Sequence, residues 1–177
     1  MKKVIMLAVS IMLLLSFNVF AGEAETDVRF AFGTSAIGTV GCDTPEGSDV
    51  YKADIGVNYR KDLGEHFYWD REGYIPIIYS DTPDESAVAF GAGFRVRTGW
   101  KIFEDWRIFL GAGLFTLIVN NDKVQNLGES PLYGSLEGGV EYKNFTIGID
   151  HGSSPFHDAD DGDEGFNNFY VAYQIHF

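Results

Sequence analysis

The chain contains a single cysteine, Cys42, so an intramolecular disulfide framework and any four-thiolate zinc site are excluded. Basic residues are also scarce, 13 Lys and Arg against 26 Asp and Glu, for a formal charge of −13. No basic patch interrupts that acidity, so nothing would offset repulsion from phosphates and nucleic acid is not an expected partner. Beyond residue 21 there is no long apolar run, which excludes a membrane-spanning helix in the rest of the chain. Glycine (21 residues) and aromatics (15 Phe, 9 Tyr, 3 Trp) are plentiful instead. That composition leans toward β structure and argues against disorder despite the charge. A length of 177 residues suits one domain with a real core.

The N-terminus points to export. Lys2 and Lys3 precede an almost unbroken apolar stretch from Val4 to Phe20, and Val19-Phe20-Ala21 has the form of a cleavage site. A secretory signal peptide over 1–21, cut after Ala21, is expected, leaving 22–177 as a single domain. No cysteine stands at the cleavage point, so a lipoprotein is not expected.

Apolar residues then recur with period two. Val28, Phe30 and Phe32 share one face, as do Tyr51 to Tyr59 at odd positions and Val88 to Val96 at even ones. The pattern continues through Trp106 to Ile118, Leu132 to Tyr142, Phe145 to Ile149 and Phe169 to Phe177. A less regular segment from His66 to Tyr79 has Glu72-Gly73 as a candidate bulge and Pro76 as an interruption. Short turns near 61–65, 100–104 and 143–144 alternate with longer polar connections near 34–47, 81–85, 120–130 and 154–165. Eight strands with this alternation form the pattern of an outer-membrane barrel, although periodicity alone would also suit a soluble sandwich.

Two features favour the barrel. Tyr59, Phe67, Trp69, Tyr79, Trp100, Trp106, Tyr142 and Phe145 cluster at strand ends, where interfacial girdles belong. The last nine residues, Phe169-Tyr170-Val171-Ala172-Tyr173-Gln174-Ile175-His176-Phe177, resemble the C-terminal assembly signal of bacterial outer-membrane barrels. That resemblance implies barrel-assembly machinery as a partner through Phe177. The expected fold is therefore an all-β, eight-stranded antiparallel transmembrane barrel, with an interior just wide enough for side chains and no wide pore. Arg95, Arg97, Glu137 and Glu141 would form ion pairs inside it, and Gly91, Gly93, Gly111 and Gly113 would relieve crowding.

The last hairpin carries the chemistry. His151 and Ser153 share the parity of Ile147 and Ile149, so on a regular strand they point outward. An imidazole and a hydroxyl at i and i+2 lie roughly 6–7 Å apart at the backbone, close enough for their side chains to meet. A carboxylate from the next strand could orient the imidazole, completing an acid–base–nucleophile arrangement, and Glu164 lies across the loop. Asp150 and Asp163 are the fallback carboxylates.

With His151-Gly152-Ser153 on the penultimate strand and Gly162-Asp163-Glu164 before the last, the chain resembles the outer-membrane lipid A 3-O-deacylases (PagL-like). The resemblance implies Ser153 as nucleophile, His151 as general base and then acid, and Glu164 as the orienting carboxylate. It also implies a site that faces the bilayer, lipid A or lipopolysaccharide as substrate among outer-membrane lipids, and no cofactor. This sequence departs from the family pattern at two points. Ser154 stands where members usually have an asparagine that helps bind the oxyanion, leaving a serine N–H or hydroxyl for that role. Glu164 has the opposite parity to the outward set of the last strand, so a bulge or the loop must bring it outward.

Other features are weaker. The acidic run 157–164 has oxygens that suit hard cations but lacks the ligand order of a calcium loop, and it reads as a solvated surface without a metal site. His157 has no partner at ligand spacing, and Cys42 reads as incidental. Two rivals to the deacylase reading remain: a non-catalytic small barrel serving envelope structure or surface binding, and a phospholipase-type esterase using the same triad.

Overall fold

The computed structural model describes residues 25–34, 49–81, 86–120, 132–153 and 165–177. These form eight strands: β1 Glu25–Thr34, β2 Asp49–Asp62, β3 Phe67–Asp81, β4 Ser86–Lys101, β5 Trp106–Asn120, β6 Tyr133–Tyr142, β7 Phe145–Ser153 and β8 Gly165–His176. Each pairs antiparallel with its neighbour in sequence, and β8 returns to β1, from Asp27↔His176 to Thr34↔Phe169, closing the barrel. Closure leaves no edge strand, so each strand has a hydrogen-bonded neighbour on both sides. Connections 63–66, 102–105 and 143–144 share one end of the barrel with the start of β1 and the end of β8. The opposite end is where the sequence expects long loops, which lie outside the described residues.

The period-two pattern decides which face each side chain takes. Phe30, Phe32, Ile55, Leu110, Leu114, Leu136, Ile147, Ile149 and Val171 lie exposed on the outer wall. Inside are Asp27, Arg29, Lys52, Asp54, Arg60, Asp70, Glu72, Arg95, Arg97, Glu137, Glu141 and Asp150, all buried. A sandwich would bury the apolar face between two sheets; here that face is on the outside and the charges are within, which removes the sandwich alternative.

The interior is held by ion pairs. Arg95 meets Asp54 at 2.7 Å, Glu72 at 3.0 Å and Glu137 at 3.3 Å, while Arg97 meets Glu137 at 2.5 Å and also Glu72. Nearer the short-turn end, Arg60 reaches both carboxylate oxygens of Asp70 at 2.8 Å and also Glu141 at 2.9 Å. Lys52 pairs with Asp150 and, at 3.4 Å, with Asp54. Arg95, Arg97, Glu137 and Glu141 thus make the interior ion pairs their positions suggest.

Two apolar clusters pack beside the network. Val50, Tyr74, Ile78, Ala87, Ala89, Phe115 and Tyr133 pack together toward the long-loop end. Ala31, Tyr68, Phe109, Tyr170 and Ala172 pack on the other side. Between them the described lumen is filled with side chains, as an eight-stranded barrel requires. Outside, aromatic pairs mark both rims: Phe67–Trp100, Trp106–Tyr142 and Phe145–Tyr173 at the short-turn end, and Phe32, Tyr51 and Tyr79 at the other.

One expectation is corrected. Glu72-Gly73 is not a bulge: β3 runs past β2 without a register shift, through Asn58↔Glu72 and Val57↔Gly73. An extra residue there would turn Glu72 out of the lumen and away from Arg29, Arg95 and Arg97. Pro76 does interrupt its ladder with β4, which stops at Tyr74↔Gly93 and resumes at Ile77↔Phe90, because proline has no N–H to donate. The bulge lies two strands further on, in β5, where Phe90 pairs Val119 but Gly91 pairs Leu117.

Gly91 is needed at that bulge. A Cβ on it would sit 1.8 Å from the Thr116 carbonyl oxygen, a backbone atom that cannot swing aside. Gly91→Ala is therefore expected to lower stability by about 1–3 kcal/mol or more through overpacking. The check is the urea midpoint of the refolded barrel in detergent; an unchanged midpoint would show the bulge adapts freely.

Candidate functional site

The candidate site lies on the outer wall near the long-loop end, where β7 meets β6 and β8. The tight connection at 143–144 sets the β6–β7 register, pairing Leu136 with His151 and Gly134 with Ser153. On the other side, β8 places Asn167 opposite His151 and Gly165 opposite Ser153. Along β7, Phe145, Ile147 and Ile149 are exposed, Thr146, Gly148 and Asp150 are buried, and His151 and Ser153 are half-buried on the outward face. The outward parity inferred for the pair is the parity the structure shows.

His151 Nδ1 lies 2.9 Å from Asn167 Oδ1. This hydrogen bond crosses from β7 to β8, and the pure strand parity of β8 produces it, because Asn167 shares the outward face of Phe169 and Val171. Sequence reasoning passed over Asn167. The signal was present, since an amide stands among outward apolar positions of the last strand, but only the register puts it opposite the imidazole. Ser154 and Glu164, the expected oxyanion donor and orienting carboxylate, lie outside the described residues, as do Cys42, Asp163 and the acidic run 157–164. Asp150, a fallback carboxylate, turns into the lumen and is engaged by Lys52, so it does not reach the imidazole face.

A second feature the sequence reading missed is the bareness of the wall around Ser153. Both of its cross-strand neighbours, Gly134 and Gly165, are glycines. Among the described residues, a Cβ on Gly134 would have only the Ser153 carbonyl oxygen within 4 Å, at 3.8 Å. Toward the barrel waist the wall next to Ser153 carries the exposed side chains of Leu136 and Ile149. Such a site lets a polar carbonyl approach the oxygen while an attached chain lies along apolar wall.

The other recess of note is at the far end of the barrel. A cavity of about 480 Å³ opens between the short turns, lined in part by Asp27, Arg60, Arg107, Lys143 and His176. There His176 Nδ1 pairs with Asp27 Oδ1 at 2.5 Å. Mixed charge and ion pairing make this the polar mouth of the lumen, remote from His151.

No family model matches the chain, and no curated protein matches it. Among solved structures it is similar to the outer membrane enzyme PagL, at 11% identity over 84% of this chain and 98% of that one, with a TM-score of 0.46. It is similar to the Yersinia pestis outer membrane protein Ail, at 14% identity over 86% of this chain and 100% of that one, with a TM-score of 0.43. A de novo designed transmembrane β-barrel shares 12% identity over 85% of this chain and 95% of its own length, with a TM-score of 0.37. The likeness is one of barrel architecture and brings no chemistry to this chain.

Proposed function

We propose that this chain is an outer-membrane esterase that removes an acyl chain from lipid A, a 3-O-deacylation. The observation that carries the reading is the placement of His151 and Ser153 two residues apart on the apolar outer wall, with glycines opposite the serine on both neighbouring strands. A barrel that is greasy outside and ionic within suits a bilayer, and its aromatic rims suit the two interfaces. The scissile ester of lipid A lies near the boundary between headgroup and acyl chain, so the substrate would reach the rim laterally without leaving the membrane. The exposed terminal aromatic Phe177 supports recognition by barrel-assembly machinery.

Ser153 Oγ attacks the ester carbonyl as His151 takes its proton. The collapsing intermediate expels the sugar hydroxyl, which receives that proton, and leaves an acyl-enzyme. Water deprotonated by His151 then releases the fatty acid. Ser154 would supply an N–H or hydroxyl to the oxyanion. Glu164, three residues before Asn167, would stabilise the imidazolium formed in each half-reaction.

The test is incubation of the purified barrel with lipopolysaccharide and with phospholipid, followed by mass spectrometry of both. Loss of one hydroxyacyl mass from lipid A supports the proposal. Intact lipid A with released phospholipid fatty acid would make the protein a phospholipase, and no turnover of either would make it a non-catalytic barrel. Gly134 gives a sharper prediction. Gly134→Val should leave the barrel folded, since its Cβ clashes with none of the described residues, yet lower the turnover rate by about a hundredfold by displacing the ester from Ser153. Turnover equal to wild type would show that the substrate approaches from another side.

A further inference from the structure

We infer that Asn167 is the positioning residue for His151, holding the imidazole in the tautomer that leaves Nε2 free to accept a proton. The inference rests on the reading of His151 and Ser153 as base and nucleophile. A carboxamide oxygen can only accept, so the 2.9 Å contact between His151 Nδ1 and Asn167 Oδ1 requires Nδ1 to carry the hydrogen. A neutral imidazole has one such hydrogen, and Nε2 therefore holds the lone pair. Its partner across the strands fixes the ring plane as well as the proton, the two tasks an orienting residue performs in a nucleophile–histidine site.

The surroundings make an amide the fitting choice. The outward residues around His151 are Leu136 and Gly134 on β6, Ile149 and Ser153 on β7, and Asn167 and Phe169 on β8. None of these described residues is charged, and the neighbouring carboxylates Glu137 and Asp150 face the lumen. At the Asn167 position a neutral amide orients the ring with a smaller desolvation cost than a carboxylate would carry there. Asn167 comes from the last strand, which pairs with β7 on one side and with β1 on the other.

The test separates this role from the esterase reading itself. Nitrogen-15 spectra of histidine-labelled barrel in detergent report which ring nitrogen of His151 is protonated, with His151→Gln assigning the signal. Nδ1 protonation is expected in the wild type, lost in Asn167→Leu and retained in Asn167→Asp. On lipopolysaccharide, Asn167→Leu should lower kcat by about a hundredfold or more with little change in KM. Asn167→Asp should keep turnover but move the acid limb of the pH–rate profile to higher pH, because a carboxylate beside the ring favours imidazolium. A wild-type ring protonated on Nε2, or an Asn167→Leu barrel with unaltered tautomer and kcat, overturns the inference. If no ester is cleaved, or if Ser153→Ala cleaves it as well as wild type, the esterase reading fails while the spectra still decide what Asn167 does.

Discussion

Alanine at Ser153 is expected to lower lipid A ester turnover by about a thousandfold or more, into the range set by binding alone. The barrel should fold as before. Ser153 is half-buried on the outer wall, its cross-strand neighbours are glycines, and no ion pair depends on it. His151→Ala should fall about as far, and the double variant little further, because the two groups act in one proton transfer and their losses do not add. Mass spectrometry of lipid A reads the first effect, and heat-dependent electrophoretic mobility reads the second. Substantial turnover by folded Ser153→Ala would remove the nucleophile from the proposal.

Inside the barrel, the largest stability effect is expected at Glu72. This carboxylate is fully buried and serves three guanidinium groups: Arg95 at 3.0 Å, Arg29 at 3.5 Å and Arg97. Among the described residues, Arg29 Nε and one of its terminal nitrogens have no hydrogen-bond partner, nor does one terminal nitrogen of Arg97. Glu72→Gln keeps the shape but removes the charge that three buried cations share. Breaking a buried pair by removing one partner costs about 3–5 kcal/mol, since the remaining charge stays desolvated. Urea unfolding of the refolded barrel should show a loss of that size. A cost under about 1 kcal/mol would mean that luminal water rather than Glu72 compensates the arginines. Catalytic turnover per folded molecule should be untouched, because Glu72 faces the lumen and the candidate site faces outward.

The two experiments probe opposite sides of the same wall, and the sequence spoke unequally about them. The outward placement of His151 and Ser153 and the inward placement of Arg95, Arg97, Glu137 and Glu141 were legible, because alternation along one strand is a local property. Tyr68, Tyr74, Phe109, Phe115, Tyr133 and Tyr170 were less so. They are aromatic yet face inward, packing beside and against the ion network. The bulge was misplaced for a related reason. Glycine beside glutamate at 72–73 looked like an irregularity, but Glu72 had to stay inside for its arginines, and the extra residue was absorbed in β5 opposite Gly91.

Asn167 shows where local reading ends. Nothing in β7 names its partner, and nothing in β8 says that the amide faces an imidazole sixteen residues earlier. The chain by itself determined the eight strands, the face each side chain takes and the histidine–serine pair at one rim. Only the tertiary structure decided that Leu136 and Asn167 flank the histidine, that glycines flank the serine, and that Glu72 sits among three arginines. The physical reason is register. A side chain's face follows from its own strand, whereas its neighbours depend on turn lengths and on the stagger that lets β8 meet β1.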